Sequence, residues 1–424
     1  MNTESILRIQ SAGGIIVMLL LAWIMSSHRK VLQRRVIVGG IMLQMLLAVF
    51  VMRTNVGQRV FKWLGDLFTG MLGFVDKGAE VVFGGNYADF YFAFKVLPTI
   101  IFFSALMAVL YHLRVVQPVV QGLALVMRKT LRTSGAETLS AAANVFVGQT
   151  EAPLVIKPYV NSMTRSELMA VMVGGFATIA GGVLAAYIGM GIDAAHLISA
   201  SVISAPAALV IAKIMEPETG LPETLHNAAI EHQDESRPIN VVDAAARGAS
   251  DGLKLALNVG AMLLAFIALM YLFNFVLAEV GEYCEDGVNW VFGKNAVNLD
   301  WSLERLLGIL FTPLAWAMGI ESSDCSNAGE LLGIKLVATE FVAYQRLGEW
   351  MSSGSAVELS PRTHIILTYA LCGFANFGSI GIQIAGIGGI APRRRSDLSQ
   401  LAIRAMIGGT LAAFMTACFA GMLL

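Results

Sequence analysis

Charged side chains are scarce in this sequence. Asp, Glu, Lys and Arg make up 14% of its 424 residues, whereas soluble domains hold about 25%. Hydrophobic residue types supply 56% of the chain before its 42 glycines are counted, and the mean hydropathy is +0.68. A water-soluble core cannot absorb that much apolar surface at this length. The composition therefore excludes a soluble enzyme and indicates an integral membrane protein.

Cysteine and the common metal or nucleotide motifs are also lacking. The four cysteines lie far apart with no Cys-X-X-Cys pair, so neither a disulfide framework nor a zinc site is expected. The six histidines form no His-Glu-X-X-His pattern, and no phosphate-binding Gly-Lys-Ser/Thr loop supports direct ATP drive. With 29 basic against 30 acidic residues, nothing indicates a nucleic-acid partner.

Long apolar runs dominate the chain instead. A membrane-spanning helix needs roughly 20 mostly apolar residues. Eight stretches are predicted to span the membrane: 11–27, 36–52, 91–111, 167–190, 194–215, 252–277, 363–390 and 398–424. The first is followed by its basic cluster at 28–35, whereas a signal peptide carries its positive charge before the apolar run. We therefore expect a retained helix.

The basic residues alternate between loops as the positive-inside rule requires. With the N-terminus outside, the loops expected inside carry basic residues near 28–35, 114–132, 237–247 and 393–395. The loop 216–236 is acidic, but acidic residues contribute little to this rule. The predicted spans return the C-terminus to the outside. Two amphipathic stretches, 57–83 and 113–131, are predicted to form helices in the membrane interface or between subunits.

Two further apolar stretches do not behave as spans. Residues 132–160 are interrupted by Val-Gly-Gln-Thr-Glu-Ala-Pro at 147–153, and residues 304–346 are interrupted near 319–328. Non-helical backbone persists at membrane depth only where protein or a water-filled cavity covers it. Each stretch is therefore predicted to be a re-entrant helical hairpin, the first entering from the cytoplasmic side and the second from outside.

The two hairpins begin an internal repeat. A Thr-Glu pair, at 150–151 and at 339–340, precedes a Gly-Phe-Ala triplet, at 175–177 and at 373–375, where each following span is interrupted. Inverted repeats with interrupted helices are typical of secondary transporters with a substrate site near the bilayer midplane. We expect N-terminal scaffold helices at 1–131 and a first transport repeat at 132–215. An acidic loop, one scaffold helix and an external loop are expected at 216–303, and a second transport repeat at 304–424.

Two carboxylates of the repeats are predicted to lie at membrane depth, which costs about 2.5–3.5 kcal/mol for a charged side chain. Glu151 and Glu340 are flanked by apolar residues, so polar partners must compensate them. An ionised carboxylate only accepts hydrogen bonds, which suits a hydroxyl-rich ligand such as a sugar. The alternative is a structural ion pair with Lys95, Lys157 or Lys335, which also lie in apolar segments.

Neutral polar groups flank both carboxylates. Gln149 and Thr150 precede Glu151, and their amide and hydroxyl match the edge of a nucleobase or another planar amide-like group. Asn376 and Ser379 offer comparable groups in the second repeat. Phe374, which lies beside them, either stacks on a ligand or only packs in the span.

Backbone carbonyls freed at helix breaks are suitable ligands for Na+. The tip from Asn144 to Val147 and the break at Thr178 and Ile179 could supply such oxygens. The alternative is that the glycines at 181–182 mark an ordinary helix-packing face.

These motifs resemble the concentrative nucleoside transporter family. The match is specific at GQTEAP (148–153) with the following GGFATIAG (174–181), at TEFVAY (339–344) and at FANFGSIG (374–381), and it extends over the whole chain. The resemblance implies an all-α fold of eight transmembrane helices and two re-entrant hairpins. It also implies a homotrimer that imports nucleosides of the uridine, cytidine or adenosine type with Na+, or in some members with protons.

The resemblance further implies roles for single residues. Those facing the nucleobase would be Gln149, Thr150 and Val183. Those facing the ribose would be Glu151, Glu340, Asn376 and Ser379, with Phe374 lining the pocket. The sodium site would comprise Asn144, Val147, Thr178 and Ile179, largely through backbone oxygens.

Three positions bear on the coupling ion. The family often has serine where this chain has Thr178 and Gly182, and only Thr178 keeps the hydroxyl. Proton-coupled relatives carry serine in place of Thr150, so the intact motif favours sodium over proton coupling. The residues also leave open an intramembrane hydrolase that uses Glu151 and Glu340 as a carboxylate pair. No Ser/His pairing and no aspartate within the spans accompany that pair.

Overall fold

The computed structural model describes residues 3–87, 91–225, 238–292, 301–352, 355 and 357–424, and no strand occurs in these ranges. The helices outside the two repeats are α1 (Thr3–Ile24), α2 (Arg34–Arg53), α3 (Asn55–Phe83), α4 (Leu97–His112), α5 (Val116–Leu131) and α11 (Val241–Phe292). A π-helical segment, Tyr91–Val96, leads directly into α4. The predicted all-α fold is confirmed. Residues 226–237, which include much of the acidic loop, lie outside the described ranges.

The first repeat consists of short helices followed by one long helix. Its members are α6 (Gly135–Ala143), α7 (Ala152–Val155), a 3-10 turn (Lys157–Tyr159), α8 (Arg165–Ala177), α9 (Gly181–Gly189) and α10 (Ala194–Met215). Capping boxes start the two repeat helices that begin at the same face: Ser134 with Glu137 for α6, and Thr164 with Glu167 for α8. Helix α8 ends because Thr178 is extended, with φ −126° and ψ 170°.

The second repeat begins with an additional helix and then has the same order of a hairpin, a broken helix and a long helix. Its helices are α12 (Leu303–Ala317), α13 (Cys325–Val337), α14 (Glu340–Met351), α15 (Pro361–Leu371), α16 (Phe377–Ile390) and α17 (Arg395–Leu423). The break between α15 and α16 includes Gly373, whose φ of +135° lies in the region that favours glycine. Asn376 then begins α16 as an N-cap, with its side chain accepting a hydrogen bond from the backbone of Ser379.

The helix lengths match the predicted spans. Seven helical segments in the described part of the chain are long and apolar enough to cross a membrane. The remaining predicted span, 363–390, is formed by α15 and α16, each too short to cross alone. Helices α8 and α9 divide the span predicted at 167–190 in the same way. The amphipathic stretches 57–83 and 113–131 correspond to α3 and α5.

The second hairpin differs from its prediction. Residues 304–346 contain two breaks, not one. The break expected near 319–328 is the turn at 318–324 between α12 and α13. The other lies at Ala338 and Thr339. There the Thr339 hydroxyl accepts a hydrogen bond from the Val342 amide at 3.4 Å and caps the N-terminus of α14. The second break brings Glu340 to the first position of a helix.

Contacts at the helix ends define two faces of the molecule. Arg404, near the start of α17, donates to the carbonyls of Met25 at 3.0 Å and Met215 at 2.7 Å. Helices α1 and α10 therefore end where α17 begins, at what we call the first face. At the opposite, second face, Arg8 near the start of α1 donates to the Leu424 carbonyl at 2.6 Å. Helices α10 and α17 are thus antiparallel.

The two repeats start from opposite faces. Helix α8 begins at the first face, where Ser166 donates to the Glu216 carbonyl at 2.6 Å. Helix α15 begins at the second face, where Arg362 donates to the Gly421 carbonyl at 2.6 Å. The hairpins also start from opposite faces. Helix α6 starts beside α8, where the Ser134 hydroxyl donates to the Glu167 carboxylate. Helix α13 starts beside α15, where the Ser360 amide donates to the Asp324 carboxylate at 3.0 Å. The hairpins formed by α6–α7 and α13–α14 therefore enter from opposite faces, as predicted. The turn at 318–324, predicted to interrupt the second hairpin at membrane depth, instead lies at the second face, where Arg362 donates to the Gly319 carbonyl at 3.0 Å.

A buried ionic cluster fixes the root of the first hairpin at the first face. Lys213 of α10 lies 2.7 Å from the Glu137 carboxylate and 3.3 Å from that of Glu218. Its ammonium also donates to the Ser166 hydroxyl at 2.9 Å. The side chains of Lys213 and Glu137 are 2% and 1% exposed, so the cation compensates acidic charge that water cannot reach.

We expect Lys213→Met to destabilise the protein by about 3–5 kcal/mol, because it leaves buried carboxylates without a cation. Lys254→Met is the control, since Lys254 pairs with Asp251 at 3.3 Å and both side chains are more than two-thirds exposed. That change should alter stability by less than about 1 kcal/mol. Thermal unfolding of the detergent-purified proteins measures both effects. Equal melting temperatures for the two variants would contradict a structural role for the cluster.

Candidate functional site

Glu340 is a buried carboxylate whose described partners are neutral. Its side chain accepts a hydrogen bond from the Tyr187 hydroxyl at 2.9 Å and one from the Asn376 amide at 2.8 Å. Only 4% of the residue is exposed. Lys335 donates instead to the Ala370 carbonyl at 2.9 Å, and no described cation lies within 4.0 Å of Glu340. The structural ion pair with Lys335, considered from the sequence, is therefore absent from the described residues.

Asn376 links this carboxylate to the start of α16. Its amide nitrogen faces Glu340, while its amide oxygen accepts the Ser379 backbone N–H at 2.8 Å. The two bonds fix which side of the amide faces each partner. Asn376 and Ser379 are 2% and 3% exposed. The structure thus brings together three of the four residues that the resemblance assigns to the ribose.

Gln149 and Thr150 of the first hairpin approach the same helix further along. The Gln149 side-chain oxygen accepts a hydrogen bond from Gln383 of α16 at 3.1 Å. Thr150 lies against Gly386, where an added Cβ would come within 2.8 Å of the Thr150 methyl carbon. Val183 of α9 is buried, with 2% exposed. Hairpin residues assigned to the nucleobase therefore contact the helix that carries Ser379.

Glu151 occupies a different environment. Its side chain lines a cavity of about 520 Å3 that lies between the first hairpin, α4 and the start of α11. Ser104, Tyr111 and Asp251 also line this cavity. No described hydrogen bond joins Glu151 to Glu340, so the structure does not bring the two carboxylates together directly. A described ion pair to Glu151 is likewise absent, and Lys95 lies 3.8 Å from Asp76 instead.

Two of the residues assigned to sodium, Asn144 and Thr178, lie beside Gly174. Asn144, at the end of α6, is fully buried, and neither of its amide atoms has a hydrogen-bond partner among the described residues. An added Cβ on Gly174 would lie 3.3 Å from the Asn144 nitrogen, and the Thr178 hydroxyl donates to the Gly174 carbonyl at 2.9 Å. Ile179 is buried beside Thr178, and Val147 lines the cavity. Hard oxygen donors of this kind suit Na+.

A backbone hydrogen bond connects the two broken helices. The Phe374 N–H, in the break between α15 and α16, donates to the Thr178 carbonyl at 3.3 Å. An added Cβ on Gly373 would come within 2.6 Å of the Phe176 carbonyl oxygen, so the close approach requires glycine. The Phe374 ring is half-buried. One contact thus joins a residue assigned to sodium with a residue assigned to the nucleoside.

Sequence reasoning missed Tyr187 and Gln383. Tyr187 lies on α9 and is fully buried, with its ring 4.4 Å from that of Tyr344. A tyrosine in an apolar helix is usually packing, so only its position beside Glu340 reveals its role. The polar Gln383 interrupts an otherwise apolar run in α16, which was the available signal.

Comparison with known families gives three matches along the chain. The family described as "Na+ dependent nucleoside transporter C-terminus" matches residues 196–421, and the corresponding N-terminus family matches residues 13–86. A third, described as "Nucleoside recognition", matches residues 93–194. The matched regions together include most of both repeats.

Comparisons with individual proteins along the whole chain indicate the same family. The chain is 43% identical over 420 residues to a protein named "Uncharacterized transporter" from Haemophilus influenzae, covering 98% of this chain and 97% of that protein. It is 42% identical to Solute carrier family 28 member 3 of Rattus norvegicus and 41% identical to Sodium/nucleoside cotransporter 1 of Mus musculus. These alignments cover 97% of this chain but 58% and 63% of the mammalian proteins, so the chain spans about three fifths of their length.

Solved structures share the whole fold. CNTnw in an inward-facing substrate-bound state superposes with a TM-score of 0.89 at 39% identity, covering 98% of both chains. A CNTnw variant in an intermediate state gives a TM-score of 0.90 at the same identity and coverage.

Fold and site therefore define a membrane transporter and not an enzyme, which sets aside the intramembrane hydrolase. The chain belongs to the concentrative nucleoside transporter family, since the Na+-dependent nucleoside transporter descriptions match residues 13–86 and 196–421 and relatives along the whole chain agree. Its substrates are nucleosides, and sodium is the coupling ion that this membership implies.

We expect Tyr187→Phe to weaken nucleoside binding about tenfold or more. The change keeps the ring but removes one of two hydrogen bonds that orient the Glu340 carboxylate, and a bond to a charged group contributes about 1.5–3 kcal/mol. Tyr344→Phe is a matched control, because the Tyr344 hydroxyl donates to the Thr368 carbonyl at 2.7 Å and not to Glu340. Isothermal titration with uridine measures both affinities. Similar losses in the two variants would argue against a specific role for Tyr187.

Proposed function

We propose that this protein is a secondary active symporter that imports nucleosides across the bacterial cytoplasmic membrane, driven by the sodium gradient. The observation that carries the proposal is the buried Glu340 carboxylate, which has two neutral donors and no described cation within 4.0 Å. A carboxylate has about four acceptor positions. The unused positions can accept the hydroxyls of a ribose.

The proposed nucleoside site joins both repeats. Glu340, Asn376 and Ser379 would bind the ribose, and Glu151 would approach it from the first hairpin. Gln149, Thr150 and Val183 would contact the nucleobase, with Phe374 lining the pocket. This assignment is supported by the contacts of Gln149 and Thr150 with α16, the helix that Asn376 begins.

The proposed sodium site consists of Asn144, Val147, Thr178 and Ile179. It is supported by the buried, unpartnered amide of Asn144 and by the unwound backbone at Thr178. The hydrogen bond from Phe374 to the Thr178 carbonyl offers a route for coupling. Sodium that orders the first break would also fix Phe374, so each ligand would favour the binding of the other.

Transport requires the site to open alternately to the two sides. We propose that the segments 1–131 and 216–303 form a scaffold, against which the repeats 132–215 and 304–424 move. Hairpins that enter from opposite faces support this division, because each can close the site toward one side. The cavity beside Glu151 is also lined by residues at the end of α4 and the start of α11, and we propose that it is the opening of the site toward the cytoplasm.

The orientation of the chain in the membrane and its oligomeric state are also part of the proposal. Basic residues near 28–35 and 393–395 lie at the first face, which we assign to the cytoplasm, so both termini lie outside. We propose a homotrimer, as the family resemblance implies. Exposed apolar side chains on α3 and α11, among them Trp63, Phe74 and Tyr271, are available for contacts with lipid or neighbouring subunits.

A proton-coupled symporter is the second candidate. The observation that favours it is the buried Glu340, which could exchange a proton during transport. Thr150 favours sodium coupling instead, as do the oxygen atoms of Asn144 and Thr178 that we propose as sodium ligands. One positive charge moving inward across 100 mV supplies about 2.3 kcal/mol in either case.

Radiolabelled uridine uptake into liposomes that contain the purified protein tests the proposal. We expect uptake under an inward sodium gradient and none above background under a choline gradient at the same pH. Uptake that ignores sodium but requires external acid would establish the proton-coupled alternative. Absence of uptake for both uridine and adenosine would reject nucleoside symport.

Uptake by the Glu340→Gln variant in the same liposomes tests the proposed role of the Glu340 carboxylate. The neutral amide keeps the size of the side chain but replaces one acceptor oxygen by a donor. We expect uptake to be lost while the variant still folds and its oligomer remains unchanged. Unimpaired uptake by this variant would refute the assigned role of Glu340.

A further inference from the structure

Gln383 forms a junction between the two repeats. Its side chain is fully buried on α16, one helical turn after Ser379. The amide nitrogen donates to the Met172 backbone carbonyl of α8 at 3.0 Å and to the Gln149 side-chain oxygen at 3.1 Å. One amide of the second repeat therefore contacts both a helix and the hairpin of the first repeat.

These bonds fix the orientation of both amides. The Met172 carbonyl can only accept, so the side of Gln383 that faces it must be the N–H2 group. The same nitrogen faces Gln149, which must then present its oxygen. Reversing either amide would place two acceptors or two donors against each other. The Gln383 oxygen has no donor among the described residues, so the two bonds of its nitrogen decide its orientation.

The Gln149 nitrogen is left free by this arrangement. Its oxygen is engaged by Gln383, and the nitrogen donates to no acceptor among the described residues. The residue is 6% exposed, which restricts what can reach it. Gln149 therefore offers the site hydrogen-bond donors and has its acceptor already occupied.

Glycine at 175 makes this junction possible. An added Cβ there would lie 2.6 Å from the Gln383 nitrogen and 2.9 Å from the Gln149 Cβ atom. Both amides therefore pack directly on the backbone of α8. This gives a physical reason for the second glycine of the Gly-Gly-Phe-Ala sequence.

We propose that Gln383 is a positioning residue that holds Gln149 with its N–H2 group toward the substrate, so that the site selects nucleobases that present a hydrogen-bond acceptor to Gln149. A ring carbonyl or an unprotonated ring nitrogen meets this requirement. The inference rests on the proposed role of Gln149 at the nucleobase.

Uptake kinetics of Gln383→Met and the unaltered protein test this inference. Methionine has a similar length but cannot donate, so the Gln149 amide becomes free to rotate. We expect KM for uridine to rise about tenfold with little change in maximal rate. The probes are 2-thiouridine and 4-thiouridine, in which sulfur replaces a carbonyl oxygen as a weaker acceptor. In the unaltered protein, at least one should have a KM three or more times that of uridine, and in Gln383→Met that ratio should approach one.

Ile387→Val is the matched control, because Ile387 is fully buried one turn further along α16. It should keep the ratio of the unaltered protein. If Gln383→Met does not assemble, Gly175→Ala disturbs the same junction from α8 and should change the ratio likewise.

The inference is overturned if neither thio analogue is discriminated by the unaltered protein. It is also overturned if Gln383→Met or, failing assembly, Gly175→Ala retains the discrimination. In both cases sodium-driven uridine uptake would persist, whereas failure of the proposed function would remove that uptake from the unaltered protein.

Discussion

The structure depends on stabilising the charge of one buried carboxylate at the start of a helix within the membrane. Glu340 begins α14, so the helix dipole and the donors of Tyr187 and Asn376 stabilise its negative charge. Each donor comes from a different repeat: Tyr187 from α9 and Asn376 from the N-terminus of α16. Because a buried charge with a missing partner is strongly destabilising, this arrangement holds the repeats together around one anion.

The helix breaks follow from the same constraint. A continuous helix satisfies its own backbone groups and presents only side chains, whereas each break frees carbonyls and amides for use by a ligand or another break. The Phe374–Thr178 hydrogen bond uses such groups to connect the broken helices, and Asn376 uses its side chain to cap the new helix. The inverted order of the elements brings these breaks together from opposite faces.

The sequence predicted the parts of this arrangement that leave a pattern in residue type. Apolar run length defined the spans, and Thr-Glu followed by Gly-Phe-Ala defined the repeat. The additional break at Ala338–Thr339 was missed because the surrounding residues remain apolar, and only the Thr339 cap interrupts the helix. Tyr187 and Gln383 were missed because their roles depend on partners more than 150 residues away. Spacing along one helix contains no information about such contacts.

The most direct test of the central claim is the inhibition of sodium-driven uridine uptake by 2′-deoxyuridine, 3′-deoxyuridine and 2′,3′-dideoxyuridine. If Glu340 accepts hydrogen bonds from the ribose, removing a bonded hydroxyl should raise the inhibition constant about tenfold or more, since bonds to charged groups contribute about 1.5–3 kcal/mol. The dideoxy analogue should bind most weakly. Inhibition by 2′,3′-dideoxyuridine as strong as that by uridine would contradict the account.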